Sequence, residues 1–388
     1  MRIGFNAWFL GQQGTGSGQY AQHLLRALVK LEPGFEYQLF ARTGHRASAT
    51  WNVHELSTPF ARRLDNLDKL WFEQVSFPRA CRQARVDLCH VPYFASPLFP
   101  SVPTVVTIHD LIPLLLPAYR GSLRVRAYMR LVAAAAQRAP QIITDSIASK
   151  RDIVQHLKVP AERVHAIYLA ADPACRPIRD GASLSAVRAK YGLPEAYLLY
   201  LGGFDQRKNL PMLLRAYREV LQAMGHEIPA LVIAGRLPGV DTPFSLDPKR
   251  IASKLGIEQH VRFIGWVAEE DKPALYSAAR FFVFLSVYEG FGLEPLEAMS
   301  CGTPVLASHY SSLPEIVGDG GSLVDATSLE EVVGAMLYWL QDDDSIAGLR
   351  QAALLQAARF DWGKTARETL QVYRAACGAS SGASPPSG

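Results

Sequence analysis

The chain has 388 residues, 49% of them apolar and 20% charged, with a net charge of +4 and 54 Gly and Pro residues together. At about 150 residues per domain this points to two or three globular domains with room for two cores, and it excludes collagen-like and wholly disordered chains. Five cysteines (Cys81, Cys89, Cys175, Cys301, Cys377) are odd in number, far apart and without C-x-x-C spacing, so neither a disulfide framework nor a zinc site is expected and a reducing compartment is the default.

The N-terminus, Met1-Arg2-Ile3-Gly4-Phe5-Asn6, reads as a buried strand rather than a signal peptide, because no basic stretch precedes an apolar core. A strand over Arg2–Phe9, a Gly-rich turn and an amphipathic helix over Gln19–Leu31 open a βαβ alternation. Strands continue at Tyr37–Ala41, Val86–Val91, Thr104–Ile108, Gln141–Thr144 and Val164–Ile167, with helices near 62–84, 120–138 and 147–157. This describes one doubly wound domain, 1–175.

After the linker Asp172-Pro173-Ala174-Cys175-Arg176-Pro177 the alternation restarts, with strands at Tyr197–Leu201, Leu231–Ala234, Val261–Ile264, Phe281–Leu285, Pro304–Ala307 and Leu323–Val324. A second doubly wound domain is expected over 176–360. A last helix follows over 361–377, placed against the first domain, and the uncharged Ala/Ser/Gly/Pro stretch 378–388 reads as a disordered tail. The fold class is α/β, two Rossmann-like doubly wound domains facing across a cleft.

Charge is unevenly spread. Residues 1–180 carry 22 Lys/Arg against 13 Asp/Glu, whereas 181–388 carry 18 against 23, so the first half is expected to meet something anionic. Arg62, Arg63, Arg79, Arg82 and Arg85 fall in one predicted helix, and Arg120, Arg124, Arg126 and Arg130 in another, interleaved with apolar residues. Such helices can lie on anionic lipid; a solvated basic face is the alternative. No apolar run approaches the ~18 residues of a spanning helix, so the chain is expected in the cytoplasm, with possible peripheral attachment to the inner face of the plasma membrane.

Gly14-Thr15-Gly16-Ser17-Gly18 sits between the first strand and first helix, where glycines let backbone N–H groups approach an anion at the positive end of the helix dipole. The G-x-G-x-G spacing departs from the dinucleotide fingerprint, and the next strand ends in Arg42 rather than an acidic residue, which disfavours NAD; the Gly-Lys-Ser/Thr of a P-loop is also missing. A tight turn with no ligand remains the alternative.

In the second half, Glu289-Gly290-Phe291-Gly292-Leu293-Glu294-Pro295-Leu296-Glu297-Ala298-Met299 follows an apolar strand, with Pro295 suited to a helix start and Gly302 to its end. N–H groups near Phe291, Gly292 and Leu293 can hold phosphate oxygens, Glu297 on the first turn can accept from a ribose diol, and Glu289 in the loop can meet hydroxyls of a sugar beyond the phosphates. This block resembles the second domain of retaining glycosyltransferases of family 4, in which Glu-x7-Glu appears as E-G-F-G-L-x-x-L-E-A-M followed by G-x-P-V, here Gly302-Thr303-Pro304-Val305. The order of parts agrees along nearly the whole folded chain.

That resemblance implies a GT-B fold and carries several residues with it. Gly203, Arg207 and Lys208 lie in the loop whose cations neutralise the donor pyrophosphate, Lys208 matching the family lysine and Arg207 substituting for an arginine missing from its usual place. Val267 corresponds to backbone that contacts the nucleotide base, with Lys272 assisting; Trp266 either stacks on the base or packs. His109, at the end of Val105-Val106-Thr107-Ile108, corresponds to a histidine that contacts the donor sugar, with Asp110 orienting it or accepting a proton. Gly16, Ser17, Gly18 and Tyr20 resemble a G-x-G-R-Y loop near acceptor and donor phosphates, with Gln19 in the arginine's place.

The reading is therefore a retaining hexosyltransferase that moves a mannose-like sugar from a nucleoside-diphosphate sugar, GDP-mannose favoured, to a glycan or polyprenyl-diphosphate-linked acceptor. Leu70-Trp71-Phe72-Glu73-Gln74 and His109-Asp110-Leu111-Ile112-Pro113 resemble mannosyltransferase-like members that build bacterial surface polysaccharides. His109, Asp110 and Glu289 are the catalytic candidates. No cofactor, metal or nucleic acid is expected, and Asp342-Asp343-Asp344 reads as a solvated turn. The alternatives are a sugar-nucleotide epimerase of the same fold and a non-catalytic binder of sugar nucleotides or glycans.

Overall fold

The computed structural model describes residues 1–12, 14–44, 51–60, 65–225, 228–238, 242 and 244–378. The chain divides into two compact units, Met1–Leu169 with Asp361–Gly388, and Ala170–Phe360. The boundary thus falls six residues before the expected break after Cys175.

The first unit holds a seven-stranded sheet of β1 (Arg2–Asn6), β2 (Glu36–Arg42), β3 (Val53–Leu56), β4 (Leu88–Val91), β5 (Thr104–Thr107), β6 (Gln141–Thr144) and β7 (Val164–Ala166). All pairings are parallel, in the order β3-β2-β1-β4-β5-β6-β7. Strands β4 and β5 are wholly buried, as expected of parallel strands covered on both faces by helices. The second unit repeats the plan with β8 (Tyr197–Leu201), β9 (Ala230–Ala234), β10 (Val261–Gly265), β11 (Phe281–Phe284), β12 (Val305–Ser308) and β13 (Gly321–Val324), parallel throughout in the order β10-β9-β8-β11-β12-β13. In each sheet the strand order reverses once, between β1 and β4 and between β8 and β11, and ligands of open α/β sheets bind at the carboxyl ends of strands flanking such a point.

Several expectations shift locally. Strand β1 ends at Asn6 rather than Phe9, and the helix after it already begins at Gly16, capped by Thr15, whose Oγ1 accepts from the N–H of Gly18 at 3.1 Å. A Cβ on Gly18 would lie 2.2 Å from the Gln12 carbonyl oxygen, so this glycine serves a close backbone approach. The helix expected near 62–84 is instead Asp65–Trp71, a π-turn over Phe72–Ser76, and Phe77–Gln83; Arg62, Arg63 and Leu64 lie outside the described residues. Pro78 cannot donate a backbone hydrogen bond, and the chain widens just before it. The edge strand β3 escaped the pattern because its four residues are all at least partly exposed.

The last helix, Trp362–Gly378, packs on the helix Gly16–Leu31 of the first unit: Trp362 stacks on His23 and the Arg374 guanidinium pairs with Glu32 at 2.8 Å. Gly378 belongs to this helix, and the rest of the expected tail, 379–388, lies outside the described residues. Asp343 opens the helix Asp343–Ala357 and pairs with Arg280 at 2.7 Å, so the acidic run is a helix start rather than a turn. No helix among the described residues is long and apolar enough to cross a membrane.

Candidate active site

In the second unit, β8 ends at Leu201 and the chain passes through Gly202 and Gly203 into a short 3-10 turn, Gln206–Lys208. The carbonyl of Gly203 accepts from the Tyr200 hydroxyl, and a Cβ on Gly235, the residue after β9, would lie 2.2 Å from the Gly202 carbonyl oxygen. The loop is thereby drawn tight over the strand ends. Arg207 and Lys208 point to the loop that follows β11, the neighbour across the switch point. The Arg207 guanidinium pairs with Glu289 and, at 3.1 Å, with Asp205; the Lys208 ammonium lies 2.8 Å from Glu289 and 3.2 Å from Glu294.

The Lys208 ammonium is also 4.5 Å from the centroid of the Phe284 ring, a cation–π contact beneath the ion pairs. Lys208 is 4% exposed and Glu289 7%. Burial opposes charge on each, yet the mutual attraction outweighs it: Lys208 stays above the ordinary lysine value through Glu289 and Glu294, and Glu289 stays below the ordinary carboxyl value through Lys208 and Arg207. The backbone of the loop is equally held. Ser286 donates to the Arg207 carbonyl at 3.0 Å, Ser311 and Ser312 donate to the Glu289 carbonyl at 2.6 and 3.0 Å, and Ser312 also reaches the Phe291 carbonyl at 2.6 Å.

The helix Leu293–Ser300 starts after Gly292, which has φ +117°, and a Cβ there would lie 2.9 Å from Leu313. Glu294, not Glu297, occupies its first turn, and Pro295 is the third helical residue rather than the first. Glu297 lies one turn further and is buried, accepting from the Tyr276 hydroxyl at 3.1 Å with the Lys272 ammonium 3.8 Å away. Lys272 is held more closely by Glu269, at 2.6 Å. Burial drives the Glu297 carboxyl up to about 7 against the pull of Lys272, and Glu294 and Glu269 push it further up. Glu294 therefore links the two clusters: it pairs with Lys208 and acts electrostatically on both Glu297 and Lys272.

Phe291 and Val267 are buried side chains, Phe291 packing edge-on against Phe360. Beside Val267, Trp266 is 54% exposed, with the Arg236 guanidinium 5.8 Å from its ring. That exposure removes the packing alternative and leaves an open indole face at the adjacent ends of β9 and β10, where Gly235 N–H donates to the Gly265 carbonyl.

In the first unit, His109 stands just past β5, flanked by the ends of β4 and β6. Its Nδ1 is 2.7 Å from a carboxylate oxygen of Asp145 and its Nε2 is 3.2 Å from the carbonyl oxygen of Pro92. Two acceptors, one on each ring nitrogen, require both nitrogens to be protonated. Burial works against that charge, but Asp145 and, more weakly, Asp110 outweigh it and hold the imidazole above its ordinary value. The surroundings of His109 thus favour its charged form, with a donor offered on each ring nitrogen. Asp145 is its orienting group. Asp110, expected in that role, caps the following turn by accepting from the Ile112 N–H at 2.9 Å.

Tyr20 is also displaced from its expected part. It is 2% exposed, sits edge-on to His109 at 5.0 Å between ring centroids, and bonds Thr107 at 3.0 Å, so it packs behind the imidazole and is not part of a phosphate loop. Gly16 and Ser17 form the helix start, with Gly16 exposed, while Gly18 is buried. Beneath them Thr107 accepts or donates at 2.8 Å to His90 Nε2, whose Nδ1 meets the Tyr373 hydroxyl at 2.6 Å. Burial takes the His90 imidazole down to about 3, so it is neutral.

Sequence reasoning passed over a second cluster at the β1/β4 switch point. The Lys69 ammonium lies 5.2 to 5.5 Å from the ring centroids of Phe9, Tyr93 and Tyr128 and 3.5 Å from buried Glu73, which accepts from the Tyr128 hydroxyl at 2.9 Å. Burial, the largest influence, lifts the Glu73 carboxyl above its ordinary value despite Lys69 and Tyr128. The signal available was Leu70-Trp71-Phe72-Glu73-Gln74, a carboxylate inside an aromatic run. For Asp145 it was Thr144-Asp145-Ser146, three polar residues ending a strand next to β5.

Comparison with known proteins bears directly on this arrangement. A model of glycosyl transferases group 1 matches residues 185–356, and one of glycosyltransferase family 4 matches residues 14–174. The chain is 31% identical over 374 residues to the O-antigen chain mannosyltransferase B of Escherichia coli, covering 93% of this chain and 96% of that protein. It is also 31% identical over 273 residues to the serotype-specific mannosyltransferase WbdA of Escherichia coli, of whose length it spans 33%. Among solved structures, sucrose-phosphate synthase from Thermosynechococcus elongatus superposes with a TM-score of 0.76 at 21% identity, covering 98% of this chain and 100% of that one. Anabaena Alr3699/HepE in complex with UDP and glucose superposes with a TM-score of 0.72 at 19% identity, covering 96% and 99%. The matched models, the full-length relative and the paired parallel sheets together place the chain in glycosyltransferase family 4, as a glycosyltransferase of the GT-B fold.

Proposed function

We propose that this enzyme transfers mannose from GDP-mannose to a hydroxyl of a lipid-linked glycan, with retention of anomeric configuration. The observation that carries the reading is the buried cluster of Arg207, Lys208, Glu289 and Glu294 across the β8/β11 switch point, where two cations stand together with the carboxylates that balance them. The mannose and surface-glycan assignment is supported by the name of the full-length Escherichia coli relative.

In the resting arrangement the positive charges of Arg207 and Lys208 are balanced by Glu289, Glu294 and Asp205. An arriving diphosphate competes for the same cations, and Glu289 turns from them toward the sugar hydroxyls. Glu297, once ionised, accepts from the ribose diol, and the open face of Trp266 with Arg236 beside it offers a platform for the base. When the bond between the anomeric carbon and the diphosphate oxygen breaks, the electron pair stays on that oxygen, whose growing charge the two cations stabilise. The acceptor oxygen bonds to the anomeric carbon and its proton passes to the departing phosphate. His109, oriented by Asp145 at Nδ1, is the group of the first unit assigned to the sugar, its Nε2 leaving the Pro92 carbonyl to donate there. Phe9 and Lys69, half-buried at the other switch point, are the surface offered to the acceptor.

The test is a transfer assay with GDP-mannose and a short synthetic mannoside acceptor, GDP release being followed alongside NMR of the product anomer. Acceptor-dependent GDP release and an α-linked product are expected. Preference for UDP-glucose, GDP release that ignores the acceptor, or a β-linked product would each overturn part of the reading.

A further inference from the structure

The donor site leaves the stretch Phe72-Glu73-Gln74 of the first unit without a task, although all three side chains are firmly placed. Phe72 is buried against Trp8, and the Gln74 amide clamps the loop after β4, donating to the Ser96 carbonyl at 3.2 Å and accepting from the Leu98 N–H at 2.9 Å. Glu73 lies inside the π-turn Phe72–Ser76, a rare distortion that recurs where a helix presents a functional group. Its Oε2 accepts from the Tyr128 hydroxyl at 2.9 Å, and its Oε1 is 3.5 Å from the Lys69 ammonium. Lys69, one turn earlier, has the Phe9, Tyr93 and Tyr128 rings around that ammonium and donates to the Tyr128 hydroxyl at 3.4 Å. The lysine side chain is nevertheless 28% exposed, while that of Glu73 is 0% exposed. Lys69 is thus the open end of the cluster and Glu73 its closed end.

A lysine–glutamate pair taken out of water adds little stability over apolar residues of the same volume, so the fold alone does not account for it. Its place does. Phe9 follows β1 and Tyr93 follows β4, so the cage stands at the carboxyl ends of the strands that flank the switch point of the first sheet. Tyr93 also succeeds Pro92, whose carbonyl oxygen is 3.2 Å from His109 Nε2, and one dipeptide therefore joins the cage to the imidazole. Because Glu73 balances its charge, the Lys69 ammonium is matched to hydroxyl groups rather than to a phosphate, and the half-buried Phe9 ring is matched to the C–H face of a pyranose. We infer that Lys69 is a specificity-determining residue for the acceptor, donating from its ammonium to one hydroxyl of an acceptor sugar packed on Phe9. Glu73 is its positioning residue and acts only through Lys69. The inference rests on the reading that the first unit takes the acceptor.

The experiment measures transfer from GDP-mannose to methyl α-mannoside and to its analogues in which one hydroxyl at a time is replaced by hydrogen. Lys69→Met should raise the acceptor KM by about ten- to a hundredfold, the loss of one hydrogen bond from a charged donor, with kcat at saturating acceptor and GDP affinity within about twofold of wild type. Lys69→Arg should recover part of that loss. One deoxy analogue should be a poorer acceptor than its parent for wild type and no poorer for Lys69→Met, which identifies the contacted hydroxyl. Glu73→Gln should also raise the acceptor KM, and the double variant K69M/E73Q should match K69M, as a residue that works through another requires. Equal deoxy penalties in wild type and Lys69→Met, additive effects of the two substitutions, or kcat and GDP affinity falling in step with the rise in KM would overturn the inference. So would inhibition by mannose 1-phosphate that exceeds inhibition by mannose and disappears in Lys69→Met, since that marks an anion site. In each of these cases transfer by the wild type leaves the mannosyl reading standing, whereas no wild-type transfer at undiminished GDP affinity overturns the acceptor reading and the inference with it.

Discussion

The two switch points of this enzyme are built in different ways. In the second unit the charged groups come from two short stretches, Asp205–Lys208 and Glu289–Glu297, and they meet as a dense buried ion-pair network. In the first unit His109 is set by groups from separate elements: Asp145 after β6, Pro92 after β4, Tyr20 on the first helix and, through Thr107 and His90, Tyr373 on the last. One site is charge held against charge within adjacent loops. The other is one histidine–carboxylate pair positioned by the convergence of strands, and the two should fail differently when a member is removed.

The largest effect is expected in the second unit. Lys208→Met leaves Glu289 and Glu294 facing each other with only Arg207 between them, and breaking a buried pair this way costs about 3–5 kcal/mol. Thermal unfolding should show the loss, and calorimetry should show affinity for nucleoside diphosphate falling with it. Unchanged stability would mean that the network is solvated and that the contrast between the sites is mistaken.

Glu297→Gln separates stability from binding. Because the folded carboxyl titrates near 7, above its ordinary value, the native state holds its proton more tightly than the unfolded chain does, and stability is lost as pH rises from about 4.5 to about 7. The Gln variant escapes that loss and should be more stable at pH 8 by up to about 3 kcal/mol, while binding the nucleotide more weakly. Wild-type affinity should strengthen as pH rises through about 7, and the variant's should be flat.

Asp145→Asn addresses the first unit. It should lower turnover by about ten- to a hundredfold with nucleoside-diphosphate affinity intact, because the carboxylate acts through His109 and not on the diphosphate. The raised imidazole value adds stability that is complete below the ordinary value of 6.5 and disappears as pH rises through the folded value. Unfolding temperatures measured across that range should decline with pH in wild type and level out in the variant. A variant that loses affinity and rate together would place Asp145 in the support of the fold alone.

The smallest effect is expected furthest from the charge. Tyr373→Phe removes one hydrogen bond to a neutral buried histidine and should cost about 1 kcal/mol, with donor affinity unmoved. A larger loss would show that the polar chain from Tyr373 to Tyr20 acts as a unit.

How far the sequence reached follows the same divide. The block from Glu289 to Glu297 and the pair Arg207-Lys208 were legible because each lies in one contiguous stretch beside a strongly apolar strand. Asp145 and Tyr373 were not, since nothing in local pattern relates them to residues 36 and 283 positions away. Asp110 was a natural choice for His109 by adjacency, and adjacency misled: successive residues at a strand end point in different directions, while the end of a neighbouring strand lies at hydrogen-bond distance. Tyr20 was misplaced for a related reason, because the helix begins two residues before Gly18 and turns that side chain inward.

By itself the sequence determined the alternation of buried strands and amphipathic helices, and with it two doubly wound units, since short apolar runs that alternate with amphipathic helices are the pattern of parallel strands covered on both faces. It also determined which stretches carry cations and carboxylates. Only the tertiary structure decided which of those charges face each other, and therefore that the Glu297 carboxyl titrates near 7 while the His109 imidazole is raised above its ordinary value. Protonation depends on burial and on distances of a few ångströms between groups remote in the chain, and these exist only once the sheets are assembled.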